Sequence, residues 1–178
     1  VAMLLKEEYG WDTLIICPKN LVNMWEQEYS DNYELNARVV PYSMVTRVLP
    51  DLRRYRFVIV DESHTMRSED RQDYVQLKDY IQRNDSKVLL LTATPFNIRF
   101  KDVANQLGLF LDDDSDLGLQ PSSAMALDPD FSKKVDQKTT TLAAFKRSDE
   151  ADDWKRLMSD HLIRRTRSFI KNNYAMKD

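Results

Sequence analysis

The residues whose types could do chemistry lie directly after short apolar runs. Residues 57–64 read FVIVDESH, so an apolar run leads into two carboxylates, a hydroxyl and one of only two histidines in the chain. A carboxylate at the end of a buried strand is suited to holding Mg²⁺, usually through water, and a carboxylate beside it can polarise a water that attacks a phosphate. Asp61 and Glu62 could equally cap a following helix, whose dipole favours acidic side chains. The pair alone leaves both interpretations open.

A second apolar run ends in hydroxyl groups. Residues 88–95 read VLLLTATP and place Thr92 and Thr94 just before a proline. Threonines at the end of a strand are common, but VDESH followed by LTATP in consecutive strand–helix units is a far more specific pattern than either motif alone. The two motifs together favour the catalytic interpretation of Asp61 and Glu62.

Four strand-length apolar runs alternate with segments of helical spacing. The first two runs are LIIC at 14–17 and ARVV at 37–40, and helical spacing occurs at 21–29 and 74–81. Strands that are apolar throughout, rather than at every second residue, indicate a parallel sheet that is covered on both faces. Asn20 is the predicted N-cap of the first of these helices. Ligands bind to such sheets beyond the carboxyl ends of the strands, where DESH and TATP stand.

The character of the sequence changes after Leu111. Residues 112–123 read DDDSDLGLQPSS, and helical spacing resumes only at about residue 142 before the basic stretch IRRTRSFIK. We therefore predict two parts. Residues 1–112 form a three-layer α/β domain with a mainly parallel sheet, and residues 113–178 form an acidic loop and a C-terminal helical appendage.

The composition excludes several classes of protein. The 178 residues carry a net charge of −3, so no overall positive field attracts nucleic acid, and no apolar run is long enough for a membrane helix. The single Cys17 rules out an internal disulfide and suits a reducing compartment, so we expect a cytoplasmic protein, or a nuclear one in a eukaryote. Only three glycines are present, and they are far apart, so the chain cannot form the glycine-rich loop that cradles phosphates.

The motifs follow the order that they have in one family of molecular motors. The chain resembles the first RecA-like lobe of superfamily-two helicases and is most similar to the Swi/Snf ATPases. The resemblance rests on LIICPKNLVNMWEQEY (motif Ia), VVPYSMV (Ib), VDESH (II), LTATP (III) and the closing stretch HLIRRTRSFI. It implies a RecA-like fold and ATP hydrolysis coupled to movement along double-stranded DNA.

The resemblance assigns roles to residues around ATP and Mg²⁺. It implies that Asp61 helps to coordinate Mg²⁺, usually through water, and that Glu62 activates the hydrolytic water. It also implies that His64 passes the nucleotide state toward motif III, with Thr92 and Thr94 as its partners. Outside this motif, His64 would be interpreted as a histidine bonded to a neighbour at the start of a helix.

Four basic or polar residues are candidates for contacts with DNA. Motif Ia touches the DNA backbone in the family, which points to Lys19 and Asn20, and a lysine and an amide suit phosphate groups without reading the base sequence. The alternative for this pair is a solvated loop. Arg164 and Arg165 belong to a local basic cluster that either approaches DNA or ATP or favours the C-terminus of a helix.

The resemblance further implies partners outside these residues. A P-loop just before a helix like residues 1–9 and a second RecA-like lobe with an arginine finger are expected, so the chain alone should hydrolyse ATP only at background rate. Residues 97–99 read NIR, where the family often has Gln-Asn-Asn. The alternatives are another superfamily-two motor, such as a restriction-system translocase or an RNA helicase, and a non-catalytic binding module.

Overall fold

The apolar runs form one parallel sheet in the computed structural model, which describes residues 1–66, 68–93, 100–135, 138–161 and 163. The strands are β1 (Thr13–Cys17), β2 (Ala37–Pro41), β3 (Phe57–Asp61) and β4 (Lys87–Leu91). Their order is β2-β1-β3-β4, and every neighbouring pair is parallel, which confirms the predicted α/β fold class. β2 lies on one side of β1, and β3 and β4 lie on the other side. The strand order therefore reverses at β1, and the switch point of the sheet lies between the carboxyl ends of β1 and β3.

Helical segments connect these strands in the first of two compact units, Val1–Ser115. Its α-helices are α1 (Ala2–Tyr9), α2 (Val45–Val48), α3 (Gln72–Asn84) and α4 (Phe100–Leu107). Shorter 3₁₀ turns are formed by Lys19–Leu21, Tyr42–Met44, Leu49–Asp51 and Ser63–Thr65, and Met24–Asp31 is a π-helix. The predicted helix at 74–81 is confirmed as part of α3.

The segment after β1 differs from the prediction. Pro18 is extended, with ψ at 147°, and the chain turns immediately after it, so Asn20 lies inside the 3₁₀ turn Lys19–Leu21. The prediction of Asn20 as an N-cap is therefore wrong. The cap position of the π-helix is Asn23, whose side chain makes no capping hydrogen bond.

The central strands β1 and β3 are buried on both faces, which explains their uninterrupted apolar sequences. Leu14, Ile16, Val58 and Val60 belong to a core that includes Leu49, Leu77 and Tyr80, contributed by the segments around α2 and α3. The alternate residues Ile15, Cys17, Phe57 and Ile59 belong to a second core with Trp25 of the π-helix. A strand with helices on both sides has no face left for polar residues until it ends.

The second unit, Asp116–Asp178, is helical in its described part. Its helices are α5 (Ser122–Leu127), α6 (Phe131–Lys134), α7 (Leu142–Lys146) and α8 (Ala151–His161). The helix predicted from about residue 142 is therefore two helices. The break falls at Ser148, whose carbonyl accepts a hydrogen bond from Trp154 Nε1 and whose hydroxyl binds Asp153, both on α8.

Among the described residues, no helix combines the length and the apolar character that crossing a lipid bilayer requires.

Candidate functional site

Asp61 ends β3 at the switch point and is held by three hydrogen bonds. Trp25 Nε1 donates to Asp61 Oδ2 at 2.8 Å, and the backbone N–H of Glu62 donates to Asp61 Oδ1 at 2.9 Å. The hydroxyl of Tyr42, just after β2, donates to the Asp61 carbonyl oxygen at 2.6 Å. Residues that follow three different strands thus converge on the half-buried Asp61, two of them on its carboxylate and Tyr42 on its backbone carbonyl.

Glu62 adopts a backbone conformation that is unusual for its residue type. Its φ of 51° and ψ of 47° lie in the left-handed region, which residues other than glycine occupy rarely and often at functional sites. Glu62 takes the N-cap position of the turn Ser63–Thr65, but its side chain makes no capping hydrogen bond. The capping interpretation therefore gains no support for this carboxylate.

His64, the last residue of VDESH, connects its own motif to LTATP. Its Nδ1 is 3.2 Å from Glu62 Oε2 and 3.3 Å from Thr92 Oγ1. Asp61 pairs with Leu91 in the sheet, so Thr92 follows directly beside the end of β3. The structure thus brings Asp61, Glu62, His64 and Thr92 to one place, whereas Thr94 lies outside the described residues.

Ser63, the remaining polar residue of DESH, is fully buried. Its hydroxyl donates to Gln106 Oε1 at 2.8 Å, and Gln106 Nε2 donates to the carbonyl of Asp102 on the same helix, α4. Because a buried hydroxyl and a buried amide are costly without partners, this pair ties the DESH turn to α4.

Lys19 and Asn20 are exposed in the turn that follows Pro18 at the end of β1. They lie at the same edge of the sheet as Asp61, because Ile16 pairs with Val60 in the parallel register. Arg164 and Arg165 lie outside the described residues.

The hydrogen bonds to the Asp61 carboxylate leave lone pairs that could bind a metal ion through water. An ionised carboxylate has about four lone-pair sites, and the two side-chain hydrogen bonds of Asp61 use one on each oxygen. The described residues contain no group of three or more histidines, cysteines or carboxylates that could hold a metal ion by themselves. This donor set fits Mg²⁺, which is commonly bound through one or two carboxylates, several waters and substrate phosphates.

Burial changes the acid–base chemistry next to Asp61. It raises the pKa of the Cys17 thiol to about 12, and the negative charges of Asp61 and Glu26 act in the same direction. Burial also raises the pKa of Tyr42 well above its usual range. Cys17 is therefore a neutral thiol and Tyr42 a hydrogen-bond donor near neutral pH.

Sequence reasoning missed three residues around the site. The ring of Trp25 is buried, but its N–H needs an acceptor and finds Asp61. Tyr42 could have been suspected because it follows the end of a predicted strand. Gln106 had no signal in the sequence except that it is polar on a helix with apolar neighbours.

The fold is similar to that of a known ATPase core. A solved structure described as the Sulfolobus solfataricus SWI2/SNF2 ATPase core in complex with dsDNA superimposes with a TM-score of 0.57 at 17% sequence identity. The similarity covers 91% of this chain but only 35% of that chain. No protein-family model and no curated protein sequence matches the chain. At this level of identity the comparison shows a RecA-like α/β fold, and the chain spans about a third of the length of its structural neighbour.

Proposed function

We propose that the chain is part of the ATPase motor of a Swi/Snf-type DNA translocase. The observation that carries the proposal is the contact of His64 with both Glu62 and Thr92, which joins the DESH and LTATP motifs at the end of a RecA-like sheet. Two adjacent carboxylates at that point, one of them on a left-handed backbone, suit a phosphate-hydrolysing site, in which one carboxylate holds the metal ion and the other orients the attacking water.

The side chains have distinct tasks in this proposal. Asp61 would hold Mg²⁺ through water, and the ion, when bound, would supply positive charge to the phosphates of ATP. Glu62 accepts a proton from the water that attacks the terminal phosphate. His64 is placed to respond to both, because its Nδ1 can pair with either Glu62 or Thr92 but cannot satisfy both equally with one hydrogen.

The proposed DNA contact rests on Lys19 and Asn20, which are exposed at the edge of the sheet that carries Asp61. The neighbour in the structural comparison is an ATPase core bound to double-stranded DNA. A lysine and an amide offer charge and donors to phosphate oxygens without reading the bases. The proposal also includes a P-loop and a second RecA-like lobe, because the three glycines of this chain are too far apart to form a phosphate-binding loop.

Glu62→Gln is expected to abolish ATP hydrolysis in the complete motor while leaving ATP binding near normal. The amide keeps the shape of the side chain but cannot accept a proton, so turnover should fall by about 100-fold or more. Asp61→Asn should instead weaken binding of Mg·ATP, because it removes the charge that holds the ion. The measurements are steady-state ATPase activity with DNA and equilibrium binding of Mg·ATP.

The matched control is Glu7→Gln, which makes the same change at an exposed glutamate of α1. It should leave both measurements unchanged. Ordinary turnover by the Glu62→Gln protein would remove Glu62 from the chemistry of hydrolysis.

A further inference from the structure

Trp25 reaches Asp61 from a separate element of the fold. It is the second residue of the π-helix Met24–Asp31, and its ring lies in the core against the face of the sheet that carries Ile15 and Cys17. Only 8% of Trp25 is exposed, yet its one polar atom is aimed at Asp61 Oδ2, 2.8 Å away. A phenylalanine would fill this apolar site without providing that donor.

The bond orients Asp61 without cancelling its charge. Both donors to the carboxylate, the Trp25 indole and the Glu62 backbone, are neutral N–H groups. Within the residues that the structure describes, no lysine or arginine forms an ion pair with Asp61. Hydrogen bonds to a charged acceptor are short and strong, so two of them fix the plane of the carboxylate. The full negative charge remains available to a cation.

The indole is itself held in place. The hydroxyl of Ser30 donates to the carbonyl of Trp25 at 2.9 Å, and the ring of Tyr29 packs on the indole with centroids 4.8 Å apart. π-Helical hydrogen bonding is rare and is found often at functional sites. Here it occurs in the segment that presents the indole to Asp61.

We propose that Trp25 is a positioning residue that fixes the Asp61 carboxylate for the metal ion. The inference rests on the proposed function, in which Asp61 holds Mg²⁺, and adds an outer hydrogen-bond partner to that site. Partners of this kind commonly control metal affinity nearly as strongly as the ligands that they orient.

Binding of Mn²⁺ to the complete motor in the presence of ATP, whose phosphates share the ion with Asp61 in the proposed function, tests this role through the electron paramagnetic resonance signal of the bound ion and not through enzymatic turnover. Mn²⁺ replaces Mg²⁺ at oxygen sites. Asp61→Asn should remove the site, and Trp25→Phe should weaken its affinity by about 10-fold. The control is Trp154→Phe, which deletes a buried indole whose N–H donates to the Ser148 carbonyl, and it should leave the affinity unchanged.

The outcomes separate this inference from the proposed function. If Asp61→Asn removes binding but Trp25→Phe does not weaken it, Trp25 only fills the core and the inference is wrong. If Asp61→Asn binds Mn²⁺ as the unchanged chain does, Asp61 holds no metal, and both the inference and the metal role in the proposed function fail.

A second measurement uses the unchanged protein, in case Trp25→Phe does not fold. The chain has three tryptophans, so Trp11→Phe and Trp154→Phe identify the indole N–H signal of Trp25 in a ¹⁵N spectrum by elimination. Mn²⁺ should broaden the Trp25 signal before that of Trp11, which precedes β1 at the opposite edge of the sheet. Equal broadening of the two signals would overturn the inference.

Discussion

At the scale of one residue, the buried position of Cys17 beside the site changes the pKa of its thiol. It ends β1 beside the switch point, is fully buried and has a pKa of about 12 in the folded chain. The usual value for a thiol is 9.0, so the unfolded chain releases this proton at lower pH than the folded chain does. Folding must therefore become less favourable at alkaline pH, since the unfolded state then binds fewer protons than the folded state.

Cys17→Ala should remove this alkaline loss of stability. The contribution of Cys17 is fully present below pH 9 and is lost as pH rises from 9 toward 12, by up to about 1.4 kcal/mol per pH unit. The variant is expected to be less stable below pH 9. Above pH 9, the difference in free energy of unfolding between the variant and the unchanged chain should narrow. The measurement is the free energy of urea unfolding of both chains against pH. Tyrosines ionise in both chains and cancel in the difference, so a constant gap would contradict the prediction.

At the scale of elements, the sequence predicted the strands better than the segments between them. The strands could be predicted because a continuous apolar run such as FVIV must bury both faces of its strand, as it does in a sheet covered on both sides. The segment Lys19–Asp31 could not, because a 3₁₀ turn followed by a π-helix has the same apolar spacing as an ordinary helix at this length.

The candidate site was predictable in part for the same reason. The parallel register requires Thr92 to lie beside the end of β3, so its proximity to His64 follows from two strand assignments. The hydrogen bonds of the Trp25 and Gln106 side chains depend on the orientation of the helix that carries each residue. That orientation is set by how the helix packs in the folded chain. Spacing along the sequence carries no such information.

Asp153 of α8 joins the helices of the second unit. It is fully buried, and its carboxylate accepts hydrogen bonds from the N–H groups of Ser123 at 2.8 Å and Ala124 at 3.0 Å and from the Ser148 hydroxyl at 2.8 Å. Burial alone would raise the pKa of Asp153, but these hydrogen bonds outweigh it and lower the pKa. Its contribution to stability is therefore present above the usual pKa of 3.8 and is lost as pH falls through the lower folded value.

Asp153→Asn is expected to lower the free energy of unfolding by about 1–3 kcal/mol at neutral pH. The amide replaces one acceptor oxygen by a donor, which leaves a buried donor facing another donor. Thermal or urea unfolding measures the change. Asp152→Asn is the matched control, because Asp152 is its exposed neighbour and pairs with Lys155 at the surface. Equal losses for the two variants would show that the hydrogen bonds of Asp153 are not what stabilises the unit.

At the scale of the whole molecule, charge is the property that decides how DNA could bind. The chain carries −3 overall, so a polyanion is not attracted in bulk and any contact must come from local groups. Lys19 is exposed just after β1, at the carboxyl edge of the sheet, whereas Lys87 is exposed at the first residue of β4, at the amino edge. The two lysines therefore offer the same charge at opposite edges of one sheet.

Lys19→Ala in the complete motor should weaken binding to duplex DNA similarly for all base sequences. The slope of log affinity against log salt concentration should fall by about 1, the value for one lost phosphate contact. ATP hydrolysis without DNA should survive, because Lys19 has no part in the proposed chemistry, while stimulation by DNA should decrease. Lys87→Ala removes an identical charge from the other edge and should change neither the slope nor the stimulation. If both variants lower the slope equally, the effect is one of overall charge, and the turn after β1 is not a DNA contact.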